Sequence, residues 1–407
     1  MNRHGILIIA LIFILVIRFI LFYQKPDAYR DGQVVSFTAT LFSEPQALGN
    51  FQKFPLNLPA GEAIFVTVPI FPEYKYGDRV EISGTLKKQV INKKIVYSLN
   101  FPKISLEKSE FNPFLAVASY IRQSISDLFN KALPPDLSSL LLGIVFGIKG
   151  PMSNEFTQKL RLAGVFHVIA ASGMNVTMVG GFLSSVFTLF LRRQTALITS
   201  ILGILFYAFL AGMQPSIIRA SVMGVLVFSA QILGRQVWGA YSLFLAAFMM
   251  LFVSPNLISD VGFQLSFAAT LGLLYIRPLF ERIARFPLAE DFFVTFSAQI
   301  ATLPILISAF GTYSVWSIPV NVLVLWTVPA LMVLGGVGAV LGMVSQAAGS
   351  ILIYLCLPFL LYFQKIVSFF GSLGQVITVQ NVPFSFILGY YLLLLAIVFY
   401  FSKPKND

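Results

Sequence analysis

The chain has 407 residues, of which 57% are hydrophobic and only 11% are charged, and its formal net charge is +11. Because a soluble globular chain carries about 25% charged residues, this composition excludes a soluble protein and predicts a polytopic membrane protein. The positive charge does not by itself indicate a nucleic-acid partner, since Lys and Arg collect in the cytoplasmic loops of membrane proteins. The single cysteine, Cys356, excludes an intrachain disulfide, and the presence of only two histidines excludes a histidine-rich metal site.

Residues 5–23 form an apolar run that is long enough to cross a bilayer. Arg3 precedes this run, and no small-residue cleavage site follows it. Residues 1–24 are therefore predicted to be a retained membrane anchor rather than a cleaved signal peptide.

Residues 25–110 have a different pattern, in which apolar residues alternate with polar ones. The alternation predicts five strands, separated by Pro, Gly and Asn, at residues 34–41, 51–58, 63–70, 79–86 and 95–101. Five short strands favour a small closed β-barrel of the OB-fold type. The residues flanking one predicted turn include four lysines, namely Lys87, Lys88, Lys93 and Lys94. Such a cluster could bind a DNA backbone, or it could be a solvated edge that prevents strand pairing, and both interpretations stay open.

Residues 111–163 are predicted to form amphipathic helices. Apolar residues recur at helical spacing between Leu137 and Ile148, while charged residues such as Arg122 and Lys159 supply polar faces. No run in this region is both long and apolar enough to span a bilayer. These helices are therefore expected to lie at the membrane interface, between the β domain and the helices that follow.

Residues 164–403 contain long apolar segments in quick succession. Spans are predicted at about 164–191, 195–212, 216–234, 238–254, 261–280, 291–310, 328–345, 348–370 and 384–402. The first of these is long, so it is expected to be tilted, or broken near Ser172 and Gly173.

The charges between the spans predict the topology. The Pro-interrupted stretch at 313–327 is interpreted as a re-entrant half-helix, because the Arg and Lys clusters between spans then all fall on the cytoplasmic side. Together with the anchor, this gives a polytopic α-helical protein of about ten spans plus the half-helix. Both termini are predicted to be cytoplasmic, and residues 25–163 are predicted to be extracytoplasmic.

Polar side chains within these spans are the candidate functional residues, because hydrocarbon tolerates them poorly. The candidates for a polar path are His167, Ser172, Asn175, Arg219, Asp260, Gln264, Gln299 and Asn321. Each also has a structural interpretation, since Arg219 and Asp260 could form an ion pair and the amides could join neighbouring helices. An intramembrane hydrolase built on Ser172 and His167 is disfavoured, because their offset along one helix points them to different faces.

The ordered motifs of this region resemble those of the ComEC competence proteins, which are inner-membrane channels for DNA uptake. Residues 167–175, His-Val-Ile-Ala-Ala-Ser-Gly-Met-Asn, resemble the family motif H-x-x-A-x-S-G-x-H, and residues 215–220 resemble its P-S-x-x-R-A element. Residues 234–235, 254–256, 262–267, 299–304 and 321 continue the resemblance in the same order. The chain departs from the family at Asn175, where a second histidine is usual, so a titrating role is not expected there. It is also expected to be a short form, because the sequence stops at Asp407 without the metallo-β-lactamase-like domain of many members.

The resemblance implies transport of single-stranded DNA across the cytoplasmic membrane during natural transformation, with no enzymatic step and no cofactor. The implied partners are single-stranded DNA, membrane lipid, a DNA receptor on the outer side, cytoplasmic DNA-translocating or single-strand-binding proteins, and a separate nuclease. Whether the path needs a homodimer stays open. The sequence has no G-x-x-x-x-G-K-[ST] motif, so the driving force is expected from partners or from the proton gradient. The alternative function is a secondary transporter or flippase for a small anionic or lipid-linked substrate.

Overall fold

The structure is a computed structural model, and it describes most of the chain. The described residues are 3–23, 29–41, 45–48, 50–59, 63–74, 77–91, 94–106, 113–148, 150–169, 172–236, 238–281, 289–379 and 382–402. Helix α1 (Arg3–Tyr23) comes first, and a β domain follows it. The strands of this domain are β1 (Val34–Thr40), β2 (Gln46–Leu48), β3 (Phe51–Asn57), β4 (Ala63–Pro69), β5 (Arg79–Thr85), β6 (Lys87–Ile91), β7 (Lys94–Asn100) and β8 (Lys103–Leu106).

The remainder of the described chain is almost entirely helical. Its helices are α2 (Pro113–Ala132), α3 (Pro135–Phe146), α4 (Asn154–Leu162), α5 (Gly173–Phe187), α6 (Arg193–Leu210), α7 (Pro215–Ile232), α8 (Gly239–Val253), α9 (Val261–Tyr275), α10 (Arg277–Glu281), α11 (Ala289–Phe310), α12 (Ser317–Leu325), α13 (Thr327–Val344), α14 (Gln346–Leu355), α15 (Leu357–Leu373) and α16 (Phe384–Ser402). Short 3₁₀ turns lie at Phe166–Val168 and Pro255–Ser259. Two short strands, β9 (Thr312–Ser314) and β10 (Val376–Thr378), pair antiparallel.

The β domain consists of two sheets that share one apolar core. The five predicted strands are present as β1, β3, β4, β5 and β7, and three shorter strands join them. The sheet orders are β1-β5-β8 and β2-β3-β4-β7-β6, with β4 and β7 parallel. Alternate residues such as Ile82 of one sheet and Val66 of the other are buried in the same cluster, as expected for strands with one covered face. The ladders of the described residues form two sheets rather than one closed ring, so the OB-fold stays a prediction.

Helix α3 differs from its amphipathic prediction. Every residue from Leu137 to Phe146 is buried, and the helix packs against α2, α13 and α15. Its two serines are paired inside the protein, since Ser138 Oγ donates to Asn130 Oδ1 at 2.6 Å and Ser139 Oγ donates to the Pro151 carbonyl at 2.9 Å. The amphipathic interpretation is therefore wrong for α3, which lies within the main hydrophobic core.

The helical region confirms a membrane protein. Within the described residues, seven helices are long and apolar enough to cross a bilayer, or eight if α14 and α15, which meet at a bend of 42°, form one span. Shorter apolar helices lie at Ile6–Phe22, Pro135–Phe146 and Gly239–Val253. The predicted half-helix stretch folds as β9 followed by α12. The count of about ten spans stays a prediction, since the seven or eight spans counted among the described residues leave out α1 and α8.

Contacts between helix ends agree with the predicted alternation of direction. Arg18 Nε donates to the Phe252 carbonyl at 3.2 Å, which brings the C-terminal ends of α1 and α8 together. Gly239, at the start of α8, lies against Leu274 near the end of α9. The pairing of β9 with β10 likewise joins the ends of α11 and α15. Each contact joins ends that the sequence analysis places on the same side of the membrane.

Small residues allow helices α9 and α11 to approach each other closely. A Cβ built on Gly272 of α9 would lie 2.5 Å from the Ser297 carbonyl oxygen of α11, so only glycine permits this approach. Small residues at helix interfaces are the usual means of close packing in membranes.

Candidate functional site

The motif segment breaks just before helix α5, as predicted. Gly164 has a φ of 76°, which favours glycine, and a single 3₁₀ turn follows at Phe166–Val168. Ser172 is the N-cap residue of α5, in an extended conformation, but its side chain makes no capping hydrogen bond. The first N–H groups of α5 therefore lack the side-chain partner that a serine cap usually supplies.

Asn175 joins α5 to the C-terminal end of α3. Its Nδ2 donates to the Ile144 carbonyl at 2.6 Å, and its Oδ1 accepts from Ser172 Oγ at 3.0 Å. Tyr207 of α6 donates its hydroxyl to the next carbonyl, that of Val145, at 2.8 Å. The last carbonyls of a helix have no partner within it, so Asn175 and Tyr207 together cap α3. Asn175 exposes only 2% of its surface, and this geometry assigns it a structural role.

Arg219 is a buried cation on α7 that has no ionic partner among the described residues. It exposes 8% of its surface, and its Nη1 donates to the Ser266 carbonyl of α9 at 2.5 Å and to the Thr270 hydroxyl. Its guanidinium carbon lies 5.9 Å from the centre of the Phe267 ring. The Nε atom is buried without a hydrogen-bond partner. No carboxylate in the described part of the chain forms an ion pair with Arg219.

Asp260 and Gln264 act locally at the start of α9. Asp260 is exposed, and its Oδ1 accepts from the Phe263 N–H at 2.7 Å, which is an N-cap. Gln264 Nε2 donates to the Ile258 carbonyl at 2.8 Å in the preceding turn. The structure does not show the ion pair with Arg219 that was one interpretation of Asp260, since the carboxylate caps α9 instead.

Gln299 and Asn321 belong to a polar cluster between α11 and α12. Gln299 Nε2 donates to Ser317 Oγ at 2.7 Å, and its Oε1 accepts from the Tyr313 hydroxyl at 2.6 Å. Asn321 Nδ2 also lies 3.4 Å from Ser317 Oγ, while its buried Oδ1 has no partner. Ser317 Oγ donates in turn to the Gly164 carbonyl at 3.3 Å. The segment from Gly164 to Asn175 thus contacts this polar cluster through Gly164 and the end of α3 through Asn175.

His167 lies in the 3₁₀ turn of this segment. Its ring is exposed and contacts the backbone of Gly164. Ser172 Oγ is bonded to Asn175 rather than to His167. The arrangement gives no support to a serine hydrolase, because a nucleophile needs a base within hydrogen-bond reach.

Two tyrosines of α16, which the sequence analysis did not single out, bond to α11 beside a proline. Pro304 has no N–H, so the Ile300 carbonyl one turn earlier loses its helical donor. Tyr390 donates its hydroxyl to this carbonyl at 2.9 Å, and Tyr391 donates to the Ala301 carbonyl at 2.9 Å. A proline within one apolar helix and paired tyrosines in another are a signal for this kind of contact.

The structure describes the side chains of two residues of the predicted lysine cluster, Lys87 and Lys88. Lys87 and Lys88 are consecutive on the edge strand β6, so their side chains point to opposite faces. The Lys88 N–H donates to Asp31 Oδ1 at 2.8 Å. Lys94 begins β7, and Lys93 lies outside the described residues.

The outer face of the larger sheet carries exposed aromatic residues instead. Phe51 and Phe101 are exposed and pack edge to face, with ring centres 5.5 Å apart. Lys53 Nζ lies 4.8 Å from the centre of the exposed Phe65 ring, which is a cation–π contact. Strand register places Phe65 and Lys87 on this same face, because both pair with Ser98. The sheet therefore combines aromatic surface with cations.

Comparison with known proteins gives a family match over the helical region. The family model described as "Competence protein" matches residues 144–404, which is more than half of the chain. The chain is 25% identical to "ComE operon protein 3" of Bacillus subtilis (strain 168) over 349 residues, covering 79% of this chain and 45% of the relative. It is 30% identical to an "Uncharacterized protein" of Aquifex aeolicus (strain VF5) over 164 residues, covering 40% of this chain and 39% of that protein. The chain spans less than half the length of the curated relatives it matches. No solved structure matches it.

Proposed function

The chain belongs to the competence protein family, and we propose that it conducts single-stranded DNA across the cytoplasmic membrane during natural transformation. The relative from Bacillus subtilis, whose name places it in a competence operon, supports this proposal. We assign no catalytic step and no cofactor to the chain. The membrane in question is the cytoplasmic one, with both termini inside and residues 25–163 outside.

The observation that carries the proposal is the isolated charge of Arg219. A DNA strand brings one negative charge per nucleotide, and moving it through hydrocarbon is prohibitive without water and counter-charges. A buried guanidinium without a carboxylate partner is itself costly unless an anion visits it. Arg219 lies near the N-terminal end of α7, on the side that the predicted topology places outside, where an entering phosphate would meet it.

A conducting path needs weak and dispersed contacts, because a strand that binds tightly cannot leave. Beyond Arg219, the polar cluster of Gln299, Ser317 and Asn321 offers neutral hydrogen-bonding groups. The unpaired Oδ1 of Asn321 is an acceptor that water or a base could satisfy. Asn175, Asp260 and Gln264 are bonded to backbone groups of the protein, so we propose no direct DNA contact for them.

The β domain supplies a place for the strand before it enters the membrane. Exposed rings and neighbouring cations on one sheet face suit single-stranded DNA, because bases stack on rings while phosphates pair with Lys. The exposed face with Phe51, Lys53, Phe65, Lys87 and Phe101 meets this description. We therefore prefer this face to the lysine cluster as the DNA contact. If the domain is an OB-fold, binding through a sheet face is common for that fold.

Partners complete the proposal. A receptor on the outer side delivers DNA, cytoplasmic translocating or single-strand-binding proteins pull it in, and a separate nuclease removes the complementary strand. The proton gradient is the other source of driving force. The path is compatible with a single chain or with a homodimer.

The experiment is uptake of labelled donor DNA, scored separately for the outer side and the cytoplasm. Arg219→Ala is expected to lower cytoplasmic entry about tenfold or more, which corresponds to about 1.4 kcal/mol, while DNA bound outside stays unchanged. Arg235→Ala is the matched control, because Arg235 is exposed just beyond the other end of α7. Both variants must accumulate in the membrane at the wild-type level. Unchanged cytoplasmic entry in Arg219→Ala would contradict the role given to this residue.

The same assay distinguishes the transporter or flippase alternative. A carrier for a small anion cannot explain entry of DNA that is long enough to recombine. Recovery of recombinants that depends on this chain therefore supports conduction of DNA, whereas normal recombination in its absence supports the small-substrate alternative.

A further inference from the structure

The N-terminal turn of α5 has no side-chain cap. α5 has 15 residues, and no side chain caps its first N–H groups. Ser172 occupies the capping position, but its hydroxyl donates to Asn175 Oδ1 instead. A helix N-terminus carries about half a positive charge and attracts anions. By itself this would indicate no ligand, because every helix has such an end.

A second observation places a cation at this helix end. A Cβ built on Gly173, the first residue of α5, would overlap Nη2 of Arg219. The guanidinium therefore lies against the first turn, and a side chain at residue 173 would have to displace it. Arg219 exposes 8% of its surface, and its Nε is buried without a partner. The contacts of Nη1 with α9 fix the group in this position.

The two charges have the same sign and lie against each other. A cation at a helix N-terminus is unfavourable, whereas a cation at the C-terminus would be favourable. Within the described residues no carboxylate pairs with Arg219 to offset this repulsion. An oxyanion that accepts from both the guanidinium and the helix N–H groups would turn the repulsion into attraction. Helix N-termini and Arg are the groups with which proteins most often bind phosphate.

We infer that Gly173 and Arg219 form a phosphate-binding site, in which the N–H groups of Gly173 and Met174 and the Nη2 edge of the guanidinium hold one phosphodiester group. The inference rests on the proposed function for the identity of the ligand as a DNA strand. The chemistry of the site itself, an oxyanion held by N–H donors, does not depend on it. Ser172 leaves the helix end open for this ligand by bonding to Asn175.

The test uses the full-length protein in detergent and follows thermal unfolding. Sodium phosphate is compared with sodium chloride at equal ionic strength, because a ligand that binds the folded state stabilises it. Near ten times the dissociation constant, we expect phosphate to raise the melting temperature by about 2 °C more than chloride. Gly173→Ala displaces the guanidinium and is expected to abolish this difference. Gly181→Ala, on the same helix, is the control, because a Cβ at that position would have no neighbouring atom within 4 Å.

A thymidine oligonucleotide with phosphodiester linkages and its uncharged methylphosphonate counterpart identify the ligand. The phosphodiester strand is expected to stabilise the wild type more than the methylphosphonate strand does, and Gly173→Ala to reduce that preference. Phosphatidylglycerol is added in a parallel series, and stabilisation by this lipid alone would overturn the assignment to DNA. If phosphate raises the melting temperature equally in Gly173→Ala and Gly181→Ala, or does not raise it in the wild type, the proposed phosphate site is refuted. A phosphate effect without DNA entry in cells would instead refute the proposed function and leave the site standing.

Discussion

Replacement of Asn175 by alanine is expected to destabilise the protein rather than to open or block a path. Asn175 Nδ2 is the donor that satisfies the Ile144 carbonyl at the end of α3, and both groups are buried. Loss of one partner leaves a buried polar group unsatisfied, which costs about 1–3 kcal/mol. No water from bulk solvent reaches this position easily, since Asn175 exposes only 2% of its surface. We therefore expect the free energy of unfolding to fall by about 1–3 kcal/mol in Asn175→Ala.

Two further variants sharpen this prediction. Asn175→Asp keeps the shape but replaces the donor by a carboxylate oxygen that faces a carbonyl, so it is expected to destabilise more than alanine does. Thr177→Ala is the control, because the exposed Thr177 hydroxyl bonds only to the Gly173 carbonyl of its own helix. Its free energy of unfolding is expected to change by less than about 0.5 kcal/mol.

Unfolding by denaturant in mixed micelles gives the free energy of unfolding of all three variants. DNA entry is then scored for the same variants at equal membrane levels. The capping argument predicts that Asn175→Ala loses DNA entry only in proportion to its lost stability. An Asn175→Ala protein that is as stable as the wild type yet admits no DNA would refute the capping role and restore Asn175 to the path.

Three other substitutions test the packing. Tyr390→Phe is expected to lower the free energy of unfolding by about 1 kcal/mol, because the Ile300 carbonyl loses its donor. In a double-mutant cycle, this loss should be smaller in the Pro304→Ala background, where the helical N–H is restored. Gln52→Ala should destabilise the β domain by about 2 kcal/mol or more, measured by protease resistance of that domain, because the buried amide donates to three carbonyls. Gly272→Ala should lower the melting temperature by several degrees, since overpacking costs about 1–3 kcal/mol, and an unchanged melting temperature would contradict the close approach of α9 and α11.

The positions of the helices and strands could be predicted from the sequence, because long apolar runs and period-2 alternation depend only on local order. The break before α5 could be predicted for the same reason, since Ser172 and Gly173 are typical of a helix start. Helix α3 could not. Its serines indicate a polar face unless their partners are known, and those partners, Asn130 and Pro151, come from other parts of the chain.

The candidate site was predicted as a set of residues, but not as a set of contacts. Arg219 and Asp260 have opposite charges at comparable depths, which favours an ion pair on sequence alone. The folded chain gives the carboxylate a nearer partner, the Phe263 N–H, and gives Arg219 the Thr270 hydroxyl. Local capping thus competes with a long-range ion pair, and periodicity does not reveal which of the two prevails. The sheet face with Phe65 also depends on strand register, which the sequence did not specify.

Compartment-resolved uptake in cells with and without this chain tests the central claim most directly. Donor DNA labelled along its length is supplied to a deletion strain, to the same strain carrying the wild-type chain, and to one carrying Arg219→Ala. We expect no cytoplasmic DNA in the deletion strain and about tenfold less with Arg219→Ala than with the wild-type chain, while DNA bound outside is the same with these two chains. Equal cytoplasmic DNA in the deletion strain and the wild type would contradict conduction of DNA by this protein.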